Sequence, residues 1–259
     1  MTASVVAAYS ATGAAWQAGP ELVYDRLGRD LVGRSPVSWA GRRVLDLGAG
    51  TGAASRALAA AGAAPIALDA AFGMLAVDRP ARPPAVVGDA YALPLADASV
   101  DGVVAAYSIN HLAMPEAGLV ECRRVARPGS PVLVSSYASD DDHPVKAVVD
   151  RVARAAGWEP PPWYSRLRAD VFPRLATVDR AAAVCRQAGL AAEVDLVEIP
   201  FPELGPDALV AWRFGMAHLA PFMAGQRPAE RHALAAAARD QLGDAGQLVR
   251  RVVVIVAVV

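Results

Sequence analysis

The stretch Val44–Gly52, which reads VLDLGAGTG, decides the fold of this 259-residue chain. An apolar strand ends there in an acidic residue, and glycines follow at positions 48, 50 and 52. Glycines allow a sharp turn from strand to helix and let a ligand approach the backbone. The helix predicted after the turn, Ala53 to Ala61, begins with unsatisfied N–H groups that face this ligand. The segment is therefore a candidate cradle for a small molecule.

The glycine spacing alone fits two kinds of nucleotide-binding turn. Gly48-x-Gly50-x-x-Ala53 matches a dinucleotide-binding turn, which would predict a nicotinamide-dependent reductase. Asp46, however, puts a carboxylate at the end of the strand, where it would repel a pyrophosphate and attract a cationic amino-acid group. The acidic residue therefore favours a cofactor with a positively charged end over a dinucleotide.

Further motifs follow in the next ninety or so residues. Asp69 ends a second predicted strand at 64–68, where its carboxylate can accept hydrogen bonds from both hydroxyls of a ribose. A third strand at 85–87 leads into Gly88-Asp89-Ala90, and a fourth apolar strand leads into the segment 105–112, AAYSINHL. A Pro-Gly turn then precedes a fifth strand at 131–135. This order of strands predicts a parallel α/β sheet with polar groups at one edge.

Taken together, residues 44–135 resemble the class I S-adenosylmethionine-dependent methyltransferases of the ubiquinone/menaquinone type. The string DLGAGTG resembles their motif I, the Gly88-Asp89-Ala90 turn resembles the site for the adenine amino group, and 105–112 resembles motif IV. The resemblance implies a Rossmann-like three-layer sandwich: a seven-stranded, mostly parallel sheet with an antiparallel last strand and helical cover insertions. It also implies S-adenosyl-L-methionine as cofactor and S-adenosyl-L-homocysteine as product.

The resemblance assigns cofactor contacts and domains to particular positions. The implied cofactor-binding residues are Tyr9, Asp46, Gly48, Ala49, Gly50, Asp69, Ala70, Met74, Asp89, Ala90 and Tyr107. Residues 1–40 are expected to form an N-terminal helical lid, in which Tyr9 approaches the methionine carboxylate. Residues 41–259 form the methyltransferase domain, with cover insertions at about 139–185 and 203–246. Two late strands, at 190–201 and 248–259, and helices at 206–222 and 229–242 complete the prediction.

Histidine is the side chain best suited to remove a proton at neutral pH, and His111 follows the fourth strand at the catalytic edge. We therefore take His111 as the candidate catalytic base. The alternative is that Asn110-His111 merely starts the next helix. The candidate substrate-binding residues are Trp16, His143, Trp212, Met216 and His218.

Two of these substrate candidates have structural alternatives. His218 would share a helix stripe with Phe214 and Phe222, and such stripes more often form core. His143 ends the run Asp140–His143, which could hold a divalent cation but is better explained as the start of a helix, so we predict no metal.

Composition limits the partners that we expect. The net charge of −1 gives no electrostatic argument for nucleic acid. The N-terminus lacks the pattern of a signal peptide, and the apolar run 252–259 is far shorter than the ~20 residues that span a bilayer. We expect a cytoplasmic monomer or homodimer with a small-molecule acceptor and without nucleic acid or membrane partners.

The expected function is in-line SN2 methyl transfer to a small, neutral or hydrophobic molecule such as a secondary metabolite. The alternative is a cyclase or binding protein that keeps the methyltransferase fold and uses the cofactor structurally. Whether oxygen, nitrogen or carbon is methylated does not follow from the sequence.

Overall fold

The structure is a computed structural model that describes residues 2–77 and 82–259. These residues form a seven-stranded sheet in the order β3-β2-β1-β4-β5-β7-β6. The strands are β1 (Arg43–Leu47), β2 (Ala64–Asp69), β3 (Ala85–Val87), β4 (Val103–Ala106), β5 (Pro131–Tyr137), β6 (Ala192–Phe201) and β7 (Leu248–Val258). The first five strands are parallel, and β7 lies antiparallel between β5 and β6. The predicted sheet is confirmed.

Helices cover both faces of the sheet. They are α1 (Ala3–Ser10), α2 (Gly13–Ala18), α3 (Pro20–Gly33), α4 (Ala53–Ala60), α5 (Phe72–Leu75), α6 (Pro115–Val125), α7 (Pro144–Ala155), α8 (Pro162–Arg166), α9 (Val178–Gln187), α10 (Pro206–Phe214), α11 (Ala220–Ala224) and α12 (Pro228–Leu242). Every one of these helices is too short or too polar to span a bilayer.

Alternate residues of the central strands β1, β4, β5 and β7 enter two separate cores, which makes the fold a three-layer sandwich. Val44 of β1 packs in one core with α3, α4, α7, α10 and α12. The next residue, Leu45, packs in the other core with α6 and α9. This alternation follows from the two-residue period of a strand that is buried on both faces.

The strand order also determines where a ligand can bind. β1 pairs on one side with β2 and on the other with β4, so the chain winds away from β1 in opposite directions. Such a switch point leaves a crevice at the carboxyl ends of the two central strands. The turn after β1 and the segment after β4 therefore lie at the same opening.

The predicted single helix at 206–222 is wrong. α10 ends at Phe214, and α11 begins at Ala220. The chain turns at Gly215, where an added Cβ would lie 2.4 Å from Cδ of Pro20 in the N-terminal segment. Pro221 also lacks the N–H that a continuous helix would need. The helix stripe proposed for His218 therefore does not exist.

Candidate active site

The turn after β1 has the conformation of a preformed ligand cradle, defined here as residues 46–52. Gly48, Gly50 and Gly52 have φ angles of +73°, +54° and +97°, in the left-handed region that favours glycine. A Cβ on Gly48 would lie only 2.2 Å from Cβ of Ser108, which follows β4. The N–H groups of Gly48 and Ala49 both donate to the carbonyl of residue 68, at 2.7 and 3.0 Å. Glycine is thus required where the cradle passes between β2 and the loop after β4.

Asp69, at the end of β2, holds the cradle with both carboxylate oxygens. Oδ2 accepts a hydrogen bond from the N–H of Gly50 at 2.8 Å, and Oδ1 accepts one from the N–H of Ala71 at 2.8 Å. From another direction, the Arg82 guanidinium donates to the carbonyl oxygens of Gly50 and Met74, at 2.9 and 3.0 Å. Burial raises the pKa of the Asp69 carboxyl above its usual value. Asp69 therefore shapes the cradle and also lines the cavity next to it.

Asp46 is almost completely buried, with 1% of its surface exposed. Its Oδ2 accepts a hydrogen bond from the Ser55 hydroxyl at 2.6 Å. Burial raises the pKa of Asp46 to about 6, because the charged carboxylate loses its hydration. A cationic ligand group beside Asp46 would favour the ionised form, as the sequence pattern predicts.

The first cavity, of about 1000 Å³ including its open mouth, lies above the cradle. Every residue that the sequence analysis assigned to the cofactor lines this cavity. Tyr107, one of them, has a φ of +55°, which is unusual for a side chain of this size, and its ring stacks on Tyr137 with centroids 4.5 Å apart. Trp16, a substrate candidate, also lines the first cavity and packs against Tyr24 at a centroid distance of 4.8 Å.

The second cavity, of about 2300 Å³ including open solvent, adjoins the first. Trp212, Met216 and His218 line it, as do Trp163 and Tyr164 of α8. The rings of Tyr164 and His218 stack with centroids 3.8 Å apart and planes within 5°. Burial lowers the pKa of His218 well below its usual value, so its imidazole is neutral at pH 7. Aromatic rings thus form one part of the wall of the second cavity, and charged residues such as Asp141, Lys146 and Arg213 form another.

Tyr9, Tyr24 and His111 line both cavities and form their common wall. The Tyr9 hydroxyl lies 2.9 Å from Nε2 of His111, and His111 Nδ1 lies 3.1 Å from Oδ1 of Asn110. With the Asn110 amide oriented in this way, Nδ1–H donates to Asn110, and Nε2 accepts from the Tyr9 hydroxyl. Burial lowers the pKa of His111 to about 4 and raises that of Tyr9 well above its usual value. At neutral pH, His111 is therefore an unprotonated base with a protonated tyrosine against it.

Comparison with known proteins agrees with this geometry. Residues 45–134 match a family described as a methyltransferase domain. A demethylmenaquinone methyltransferase of Mycolicibacterium paratuberculosis is 32% identical over 160 residues, which cover 59% of this chain and 68% of the relative. This chain belongs to the class I S-adenosylmethionine-dependent methyltransferases.

Two further matches define how far the similarity extends. A demethylmenaquinone methyltransferase of Renibacterium salmoninarum is 37% identical over 142 residues, 54% of this chain and 58% of the relative. The methyltransferase thus spans little more than half the length of this relative. A chain from the complex between the Haloferax volcanii Trm112 methyltransferase activator and its methyltransferase matches with a TM-score of 0.60 at 21% identity. That match covers 98% of this chain and 96% of the other, and it supports the fold.

His143 lies outside the walls of both cavities of the methyltransferase. It is the N-cap of α7: its Nδ1 accepts a hydrogen bond from the N–H of Val145 at 3.3 Å, and its Nε2 lies 3.4 Å from the carbonyl oxygen of Gly246. The helix-start alternative therefore describes His143, and its predicted contact with the substrate has no support in the geometry. In residues 2–77 and 82–259, no three His, Cys, Asp or Glu side chains are grouped so that they could hold a metal ion.

Arg250 of β7 is a site residue that the sequence analysis missed. Its guanidinium lies between the rings of Tyr137 and Trp212, 4.0 and 4.8 Å from their centroids, in the wall of the second cavity. Nε and Nη2 donate to the two oxygens of Asp141, at 2.9 and 2.7 Å. The available signal was the pair Arg250-Arg251 near the start of an otherwise apolar terminal strand, since charged residues are rarely buried without a partner.

Proposed function

We propose that this methyltransferase transfers the methyl group of S-adenosylmethionine, bound in the first cavity, to a small molecule bound in the second. The observation that carries the proposal is the wall that the two cavities share at Tyr9, Tyr24 and His111. A donor and an acceptor in adjoining cavities can approach within the ~3 Å that in-line transfer needs. The aromatic rings at this wall would keep water out of the reaction.

The chain's own groups suit this cofactor. The glycine cradle exposes its backbone to the first cavity, and Asp69 keeps a carboxylate toward the ribose position. Asp46 can attract the ammonium group, and the exposed Asp89 side chain can face the adenine amino group. The cofactor supplies an activated methyl group on a sulfonium, so the protein's task is to position the acceptor and exclude water.

His111 is the proposed base for an acceptor that must lose a proton. Its neutral Nε2 already accepts a hydrogen bond from the Tyr9 hydroxyl. The acceptor proton can therefore pass to the Tyr9 oxygen while the Tyr9 proton moves to His111 Nε2. Tyr9 also ties the N-terminal helix α1 to the end of β4, which supports the proposal that residues 1–40 act as a lid.

The aromatic wall of the second cavity supports a flat acceptor with an apolar body. The names of the two demethylmenaquinone methyltransferases favour a ring of the quinone class. We propose that the protein acts in the cytoplasm, as a monomer or homodimer, without nucleic acid or membrane partners.

Calorimetric titration with S-adenosylmethionine, S-adenosylhomocysteine, NADH and NADPH tests the cofactor assignment. We expect binding of the adenosyl ligands alone; preference for a nicotinamide, or no adenosyl binding, would contradict it. A mass-spectrometric screen of candidate acceptors then tests the reaction. Gain of one methyl group supports a methyltransferase, whereas adenosyl binding without transfer to any acceptor in the screen would favour the structural use of the cofactor.

A further inference from the structure

Arg250 is a buried cation with one unused donor group. Only 3% of its surface is exposed, yet it lines the second cavity. Nε and Nη2 are bound to Asp141, whereas Nη1 is buried and makes no hydrogen bond to any described residue. Leaving a charged donor buried and unpaired costs free energy, so native structures rarely retain one without a purpose. Because Arg250 lines the second cavity, a ligand in that cavity could supply the partner that Nη1 lacks among the described residues.

The charge around Arg250 is also incomplete. Asp141 serves two cations, because Lys146 Nζ lies 2.8 Å from the oxygen that also accepts from Arg250. One carboxylate thus faces two positive groups in a partly dehydrated wall. Asp150, another carboxylate of this cavity, is already paired with Arg213 at 2.7 Å. Two more carboxylates line this cavity, but Asp140 is paired with Arg251 at 3.1 Å, and Asp142 acts on Lys146. Asp141 is therefore the carboxylate that bonds to Arg250.

A second unused donor lies beside Arg250. The indole Nε1 of Trp212 is buried and makes no hydrogen bond to a described residue, and the Arg250 guanidinium packs over the same indole. Both groups are donors that cannot accept a hydrogen bond. Their ligand must therefore supply acceptor atoms, such as oxygens, rather than hydroxyl or amine hydrogens alone.

We infer that Arg250 binds an oxyanion on the methyl acceptor, either a carboxylate or an ionised phenol oxygen, through its Nη1. The flat, apolar part of the same molecule packs along the wall of Tyr164 and His218 and reaches His111. This inference rests on the proposed function, because it places the acceptor in the second cavity. It replaces the neutral acceptor expected from composition with an apolar molecule that carries one anionic oxygen.

Matched two-ring probes test the inference without knowledge of the natural acceptor. Protein saturated with S-adenosylhomocysteine is titrated calorimetrically with 2-naphthoate, 2-naphthol and the neutral 2-(hydroxymethyl)naphthalene. We expect 2-naphthoate to bind about tenfold or more tightly than the neutral alcohol, the scale of a hydrogen bond to a charged group. If the affinity of 2-naphthol approaches that of 2-naphthoate as the pH rises toward the pKa of 2-naphthol, the oxyanion is a phenolate. If only 2-naphthoate binds tightly, the oxyanion is a carboxylate. Equal binding of 2-naphthoate and the neutral alcohol would overturn the inference.

Variants then assign the selectivity to Arg250. Arg250→Met removes the cation, and Arg250→Lys keeps a charge opposite Asp141 but removes the second donor arm. Arg151→Met is the matched control, because Arg151 lines the same cavity with its guanidinium bound to Gln241. We expect the ratio of alcohol Kd to naphthoate Kd to fall toward one in both Arg250 variants and to stay at the wild-type value in Arg151→Met.

Two controls separate the possible failures. The Tm and the S-adenosylhomocysteine affinity of each variant report whether it folds. If Arg250→Met does not fold, the comparison of the Kd ratio of Arg250→Lys with that of the wild type decides the result. An unchanged ratio in Arg250→Lys would overturn the inference. Absence of S-adenosylhomocysteine binding in the wild type would instead overturn the proposed function, and the probes can still be titrated against the free protein.

Discussion

Replacement of Gly48 by alanine should destabilise the protein more than replacement of Gly41, a left-handed glycine outside the cradle. The residue has a φ of +73°, and its new Cβ would lie 2.2 Å from Cβ of Ser108 and 2.9 Å from its Oγ. Ser108 cannot simply rotate away, because its Cβ position is set by the backbone and its hydroxyl donates to the carbonyl of Leu47 at 2.6 Å. The substitution therefore carries both a conformational and a steric cost.

The two costs can be separated with Gly41. This glycine has a φ of +72°, nearly the same as Gly48, but a Cβ there would meet no described atom within 4 Å beyond its chain neighbours. The left-handed conformation costs a residue with a Cβ about 1–2 kcal/mol. Overpacking adds about 1–3 kcal/mol. We expect Gly48→Ala to lose about 2–5 kcal/mol of unfolding free energy, and Gly41→Ala only about 1–2 kcal/mol.

Urea unfolding of the wild type, both single variants and the double variant Gly48→Ala/Ser108→Gly measures these terms. The double variant removes the Cβ that clashes, so it should recover part of the steric cost while it retains the conformational one. Calorimetry should also show weaker S-adenosylhomocysteine binding for Gly48→Ala than for Gly41→Ala. Equal destabilisation by the two single substitutions would refute the argument that Gly48 is required by the close approach of Ser108.

Three further predictions concern the ionisable groups of the site. S-adenosylmethionine should bind more tightly as pH rises from about 5 to about 7, because the pKa of Asp46 is about 6 and only its carboxylate attracts the ammonium group. Calorimetry of Asp46→Asn should show that this pH dependence is lost. An unchanged pH profile in Asp46→Asn would exclude Asp46 as the group that binds the ammonium. His111→Gln should lower turnover strongly while S-adenosylhomocysteine affinity hardly changes, and near-normal turnover in a methyl-transfer assay would remove His111 as the base. The folded pKa of His111, about 4, lies below its ordinary value of 6.5, so the unfolded chain takes up the proton first and stability falls as pH drops from 6.5 toward 4. Urea unfolding of the wild type over this pH range should show a loss of about 2–3 kcal/mol relative to the reference variant His111→Gln, which has no imidazole at this position. Equal losses in the two proteins would mean that His111 is not buried and neutral.

The sheet and the cradle could be predicted because both depend on short-range patterns. Apolar residues in short runs identify strands, and glycines at alternate positions after Leu47 identify the turn. Once the strands are parallel, the residues that follow them meet at one edge. This is why Asp46, Asp69 and Asp89 all line the first cavity, although they come from three different strands or their following turns.

The break in the predicted 206–222 helix had a partial sequence signal in Pro221. The tertiary reason lies in the N-terminal segment, which packs against Gly215 from residues nearly two hundred positions earlier in the chain. A periodic pattern of apolar residues within one segment contains no information on such a long-range contact. His143, by contrast, caps α7 through a local hydrogen bond from the N–H of Val145, in agreement with the helix-start alternative of the sequence analysis.

By itself, the sequence determined the parallel sheet with its antiparallel last strand, the glycine cradle and the acidic residues around it, because each follows from local periodicity or from a short motif. The tertiary structure alone decided that Tyr9 meets His111 across 102 positions and that Arg250 meets Asp141 across 109. It also decided that Nη1 of Arg250, a residue of the cavity wall, has no hydrogen-bond partner among the described residues. Such pairings depend on how whole layers of helices pack on the sheet, and that packing sums contacts over the entire chain rather than over any one segment.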